Sequence, residues 1–140
     1  GNPGPGGYGT ILQYGDKEKE LSEGFRNTTN NRMELLAVIA GLVAFKKLGW
    51  RVFVVSDSMY VVDAVTKGSL KGWVVKDFKG KKNRDLWERY LKASASHDVR
   101  FQWVKGHAGH PENERCDQLA VEAAQRKNLK VDAAFEEGTA

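Results

Sequence analysis

The apolar positions along the chain change period several times, and each change marks an element. Tyr8–Tyr14 and Lys19–Phe25 read as two strands, and the Gly15-Asp16 pair between them predicts a hairpin. Met33, Leu36, Ala37, Ala40, Ala44 and Leu48 keep helical spacing and predict a helix from about 31 to 48. Thr28, Thr29, Asn30 and Asn31 offer its N-caps, and Glu34 falls in its first turn, where an acid suits the helix dipole. Arg51–Asp57 is almost continuously apolar, the pattern of a strand buried on both faces. A short helix over Ser58–Val65 follows. Another starts near Asp85 with Leu86, Trp87, Tyr90 and Leu91 as its apolar side. Val99, Phe101 and Trp103 alternate into a last strand that ends at Val104.

Beyond that strand, Gly106–Gly109 is a loop carrying His107. Pro111 suits the first position of a helix, and Glu112 and Glu114 complement its dipole. Cys116, Leu119, Ala120 and Ala123 make a narrow apolar stripe on that helix, with Asp117 one residue off it. At the chain ends the pattern fades. Gly1–Gly7 reads as a turn segment, and 127–140 as a flexible tail. Strands interleaved with helices over 140 residues predict one α/β domain.

Composition adds little by total and more by position. Hydrophobic residues at 41% and charged ones at 29% are ordinary for a globular domain, and no apolar run approaches a membrane span. The lone Cys116 has no internal disulfide partner, which fits a reducing compartment. The net charge of +4 lies in one window. Residues 67–84 carry seven of the 22 basic residues and one of the 18 acids, leaving the rest of the chain with 15 basic and 17 acidic. Trp73 and Phe78 are interleaved with these lysines. Clustered cations with aromatics are the footprint of a phosphate backbone, and a solvated charged face is the alternative.

Three acids from distant segments then draw notice. Glu34 is placed at a helix start, Asp57 at a strand end and Asp117 near another helix start. Ligands of open α/β sheets bind outside the carboxyl ends of strands. Capping by Asp57 or Ser58, and dipole stabilisation by Glu34, are the structural alternatives. Converging carboxylates repel unless a divalent cation lies between them, and hard oxygen ligands suit Mg²⁺ or Mn²⁺. No cysteine–histidine cluster argues for zinc.

Five motifs occur in the order found in type 1 ribonuclease H. They are GNPGPGGYG at Gly1–Gly9, TTNNRMEL at Thr28–Leu35, SDS-x-Y at Ser56–Tyr60, GW…KN-x-DLW across Gly72–Trp87 and WVKGHAGHPENERCDQLA at Trp103–Ala120. The chain resembles a bacterial member of that family from Gly1 to about Ala124. The resemblance implies a mixed five-stranded sheet flanked by helices, in a single domain over 1–140 with a basic protrusion around 67–84. It implies Mg²⁺-dependent hydrolysis of the RNA strand of RNA–DNA hybrids without sequence specificity, by a cytoplasmic monomer. Two ions in the substrate complex would be held by Glu34, Asp57 and Asp117, with Mn²⁺ as a substitute. His107 matches the family's mobile histidine, which serves proton transfer and product release. Asn2, Thr29, Asn30, Asn31 and Asn83 match positions that contact the hybrid, and Trp73, Lys79, Lys81 and Lys82 belong to the protrusion. Met59 stands where relatives often carry glutamine, and Asn27 where many carry an arginine for a DNA phosphate.

The family's fourth ligand is an aspartate on its first, central strand, in a T-D-G sequence just upstream of the glycine-rich turn. The sequence begins inside that turn. The expectation is a sheet without its central strand between Tyr8–Tyr14 and Arg51–Asp57. Three readings follow: a hybrid-cleaving enzyme, a module that grips hybrids or duplexes without cutting them, and an α/β domain whose acids are caps.

Overall fold

The core gathers around one helix. In the computed structural model, which describes residues 2–140, α1 (Asn30–Val43) buries Met33, Leu35, Leu36, Val38, Ile39 and Leu42. Thr29 starts it: its hydroxyl accepts the Arg32 N–H at 3.3 Å, satisfying one of the donors a helix leaves unpaired at its N-terminus. Before α1 come β1 (Gly4–Tyr14) and β2 (Lys17–Thr28), and after it β3 (Arg51–Ser56). Helices α2 (Met59–Thr66), α3 (Ser69–Val75) and α4 (Arg84–Ser94) precede β4 (Asp98–Trp103). Helix α5 (Pro111–Ala124) and the single turn α6 (Ala133–Glu136) complete the order. Trp87 of α4, fully buried, packs edge-on against Trp73 and Tyr90 and donates its indole N–H to Tyr60 Oη at 2.8 Å. Burying such a ring contributes roughly 1.5–3 kcal/mol before packing geometry is counted.

The strands form two ribbons. β1 and β2 pair antiparallel from Tyr14↔Lys17 through Gly6↔Phe25, and β3 and β4 pair parallel from Arg51↔Asp98 to Ser56↔Trp103. β1 is not paired with β3; both instead line a cavity of about 160 Å³ whose other walls are α1 and α5. This is the four-stranded arrangement expected from the sequence, open where a central strand would lie. The architecture is the mixed α/β fold that the resemblance implied.

Several expectations are corrected. Gly4–Gly7 is strand, not turn, with a register irregularity between Gly4 and Gly6; Gly1 lies outside the described residues. The glycines there let α5 lie directly on the hairpin. A Cβ at Gly7, Gly9 or Gly24 would run into the carbonyl oxygens of Ala120, Cys116 and Ala123. Helix α1 ends at Val43 rather than near 48, and Leu48 is 78% exposed. The chain turns there because Phe45 packs against Trp50 and His97 instead of continuing the helix. β3 is not buried on both faces: Phe53 and Val55 are exposed, because the helices cover one side of the β3–β4 ribbon. Helix α3 forms inside the basic window, where lysine spacing hides a single buried anchor, Leu70.

The segment expected to be a flexible tail runs along the edge of β2. Lys130 N donates to Gly24 O at 2.9 Å and its carbonyl accepts Arg26 N at 3.0 Å. Arg26 is bidentate on Glu136 of α6, and Asp132 is buried.

Candidate active site and nucleic-acid interface

Asp57 is the first residue past β3. The cap of α2 is Ser58, whose hydroxyl accepts Val61 N–H at 3.2 Å, so the Asp57 carboxylate is not spent on capping. It is instead placed by three neighbours. Asn113 Nδ2 donates to Asp57 Oδ2 at 3.2 Å, and Trp103 Nε1 donates to the Asp57 carbonyl at 3.2 Å. The Gly106 backbone passes so near that a Cβ there would stand 2.9 Å from Oδ2.

Glu34 and Asp117 both lie deeper in their helices than the sequence suggested. With α1 starting at Asn30, Glu34 lies beyond the first turn and the dipole explanation falls. Asp117 is likewise beyond the first turn of α5, whose acids there are Glu112 and Glu114. Glu34, Asp57 and Asp117 line one cavity. Their electrostatics register that proximity. Burial first, then the charges of Asp57 and Asp117, pushes the Glu34 carboxyl up to about 7. Asp117 is also raised, by burial and then Asp57, with His107 opposing.

Among the described residues no three His, Cys, Asp or Glu are grouped so that they could hold a metal ion as they stand. The chemistry of the donor set still fits a hard cation: it is all carboxylate oxygen, and mutual repulsion is what a divalent ion relieves. His107, exposed in its loop with φ of 56°, borders the hollow that Glu114, Asp117 and Gln118 also line. Asp117 thus faces both hollows.

The residues expected to contact nucleic acid divide. Asn2 Oδ1 accepts Asn30 N–H at 3.0 Å, tying the glycine-rich segment to the start of α1, where Asn30 and Asn31 are exposed. Thr29 is occupied as the cap. Asn83 is buried and its amide is engaged inside: Oδ1 accepts from Arg32 at 3.2 Å, and Nδ2 donates to Tyr60 Oη at 3.1 Å. In the basic segment Phe78 is an internal anchor, Lys81 Nζ lies 5.2 Å from the Trp73 ring centroid, and Lys79 and Lys82 are exposed. Arg84 is paired with Asp77 and Glu88, so its charge is already partnered.

Residue-by-residue reading of the sequence missed Asn113, Gly106, Trp103 and Arg32. Asn113 carried a signal: it stands four residues before Asp117, on the same face of α5. Arg32 carried none, because its partners lie 53 and 100 residues away in the chain.

The chain is similar to several known proteins. A family model described as RNase H matches residues 1–125. A ribonuclease H of Desulforamulus reducens is 57% identical over 137 residues, covering 94% of the chain and 86% of that protein. One from Rippkaea orientalis is 52% identical over 141 residues, covering 97% and 86%. Among solved structures, LC9-RNase H1, a type 1 RNase H with the type 2 active-site motif, superposes with a TM-score of 0.70 at 28% identity, covering 100% of the chain and 82% of that structure. RNase H1 from the halophilic archaeon Halobacterium salinarum gives 0.65 at 29%, covering 88% of each.

Proposed function

This chain belongs to the ribonuclease H family, and from that premise we propose that its cavity hydrolyses the RNA strand of RNA–DNA hybrids with Mg²⁺, without sequence preference. The observation that carries the reading is the convergence of Glu34, Asp57 and Asp117 on one cavity, where burial and then the charges of Asp57 and Asp117 raise the proton affinity of Glu34. Those three would hold the cations, Mn²⁺ serving as well as Mg²⁺. Bound cations would supply Lewis-acid stabilisation of the phosphodiester and a more acidic water.

The chain's own groups do the rest. Asn113, Gly106 and Trp103 fix Asp57. His107 sits at the rim beside Asp117, where it can take or deliver a proton and let product leave. Asn30 and Asn31, at the start of α1, offer amide donors and acceptors to 2′-hydroxyls in a wide minor groove, which is how RNA is told from DNA. Lys79, Lys81 and Lys82, with Trp73, would grip phosphates and so position the duplex without reading its sequence. The lone Cys116, with no internal disulfide partner, suits a reducing compartment such as the cytoplasm.

A second reading, a module that binds the hybrid without cutting it, is favoured by one observation. The carboxylates are not grouped to hold a metal as they stand. One experiment separates the two. The chain is titrated with Mg²⁺ on a fluorescent hybrid while binding and cleavage are recorded together. Cleavage that rises with Mg²⁺ and disappears in Asp57→Asn supports the enzyme. Binding without cleavage at any Mg²⁺ concentration supports the module.

A further inference from the structure

The segments assigned above to the hybrid are joined through one buried cation. Arg32 is 1% exposed, and its guanidinium makes five hydrogen bonds, the full complement of its N–H donors. Nε and Nη2 donate to Asp132 at 2.7 and 2.9 Å. Nη1 and Nη2 donate to Asp85 at 2.8 and 2.7 Å, and Nη1 donates to Asn83 Oδ1 at 3.2 Å. Thr28 Oγ1 donates to Asp132 Oδ2 at 2.7 Å. Asn83 then passes the network on to Tyr60, itself bonded to Trp87.

The consequence is geometric. Four parts of the chain meet at Arg32: the end of β2 (Thr28), the first turn of α1, the exit from the basic segment (Asn83 and Asp85), and the C-terminal segment (Asp132). Asn83, at that exit, holds φ of 66°, a conformation costly for a non-glycine residue and sustained here by bonds on both ends of its amide. A buried ion pair is weak evidence of a stabilising role, since apolar residues of equal volume often do as well. What a filled guanidinium fork adds is direction: planar, bidentate bonds fix the angle between the elements they join.

We propose that the Arg32–Asp132 clasp is a positioning device for the hybrid, through which the C-terminal segment sets Asn30 and Asn31 against the basic segment. This rests on the hybrid reading above. A rigid duplex can touch both segments at once only if their spacing is held, so loosening the clasp loses binding while leaving the carboxylates untouched.

The test uses the full chain and a short fluorescent RNA–DNA hybrid, comparing Asp132→Asn, the gentler Thr28→Val, and Ile39→Ala. The last shortens a core residue two turns along α1 that does not line the cavity, and serves as a variant of lowered stability with the clasp intact. All are measured well below their melting temperatures. Asp132→Asn should raise both Kd and KM about tenfold with kcat nearly unchanged, as small displacements of positioning groups do. Thr28→Val should shift them in the same direction by less, and Ile39→Ala should shift neither. Amide hydrogen exchange at Asn30, Met33 and Trp87, whose N–H groups are bonded to Asn2, Thr29 and Asn83, should quicken in Asp132→Asn without substrate present. Wild-type Kd and KM in both clasp variants, or an equal rise in Ile39→Ala, would overturn the proposal. So would unchanged exchange, whatever the substrate. A wild-type chain that does not bind the hybrid at all would instead overturn the hybrid reading itself.

Discussion

Asn113 Nδ2 donates to Asp57 Oδ2 across 3.2 Å, and that bond joins α5 to the end of β3 one turn before Asp117. It fixes the relative position of two acids that come from segments 60 residues apart in the sequence. The partner on the other side of Asp57 is bare backbone at Gly106, where a Cβ would stand 2.9 Å from the same oxygen. Replacing Asn113 with alanine should therefore raise the Mg²⁺ concentration needed for half-maximal cleavage by about tenfold, the loss of one hydrogen bond to a charged group. Gly106→Ala should do the same by displacing the carboxylate. A Mg²⁺ titration of cleavage checks both, and unchanged midpoints would remove Asn113 from the site.

Glu34 gives the site a pH signature in the absence of metal. Its carboxyl is pushed up to about 7 from an ordinary 4.5, so over that interval the folded chain holds a proton that the unfolded chain has released. Stability is therefore gained as pH falls from about 7 to 4.5 and lost as pH rises through that range. The cost of ionising Glu34 above neutrality, set first by its burial and then by Asp57 and Asp117, is at most about 3 kcal/mol, and less where solvent screens it. Glu34→Gln removes that cost, so in EDTA it should melt higher than wild type at about pH 8 and nearly together with it at about pH 4.5. Equal melting temperatures at the higher pH would mean that neither burial nor the neighbouring acids hold a proton on Glu34.

The lysines of the basic segment are distinguishable by what already holds them. Lys79 and Lys82 are exposed, whereas Arg84 is tied to Asp77 and Glu88, each at 2.7 Å. Alanine at both lysines should flatten the salt dependence of hybrid binding by up to about 0.9 in slope for each phosphate no longer neutralised, with little change in turnover at saturation. Arg84→Ala should flatten it less. Measuring log Kd against log salt for the three proteins decides it, and an unaltered slope in the lysine variant would assign that face to solvent.

Much of this was legible because it is written in local patterns. The period change at Arg51 marks β3, Gly15-Asp16 marks the hairpin, and the Pro111-Glu112 start marks α5. The acids could be picked out because Glu34, Asp57 and Asp117 sit in recognisable motifs. What was not legible depends on neighbours distant in sequence. Gly6 and Gly7 look like a turn because what explains them is distant in sequence: Thr28 and Met33 beside Gly6, and the Ala120 carbonyl of α5 against Gly7. Phe53 and Val55 look buried because hydropathy cannot show which face of a ribbon goes uncovered. Asn83 looks like a surface residue until Arg32 and Tyr60 are seen to occupy its amide.

His107 should matter to rate and hardly at all to folding. It is exposed in a glycine-flanked loop, at φ of 56°, and borders the hollow that Asp117 also lines. His107→Ala should slow turnover by about 10²–10⁴-fold, the usual worth of a positioned acid or base, while leaving Kd for the hybrid unchanged. Its melting temperature should stay near that of wild type, since an exposed ring packs against little. A large drop on thermal unfolding would make His107 a structural residue.

The cavity between β1 and β3 offers the sharpest test of how the site is completed. Each strand is paired along one edge only, β1 to β2 and β3 to β4, and both line the cavity together with the three acids. Unpaired strand edges of this kind bind an added strand readily, because its backbone satisfies donors and acceptors on both sides. The resemblance to the family places a strand ending in Thr-Asp-Gly between these two. A synthetic apolar strand with that ending, added in trans, should raise the melting temperature in proportion to its concentration, as any ligand of the folded state does. It should also lower the Mg²⁺ concentration required for cleavage, by bringing a fourth carboxylate to Glu34, Asp57 and Asp117. The same peptide ending Thr-Asn-Gly should stabilise at least as well in EDTA, since it adds no charge beside the three acids, but without that second effect, which separates filling the slot from completing the metal site. If neither peptide moves the melting temperature, β1 and β3 close on each other in solution, and the strand has no place between them.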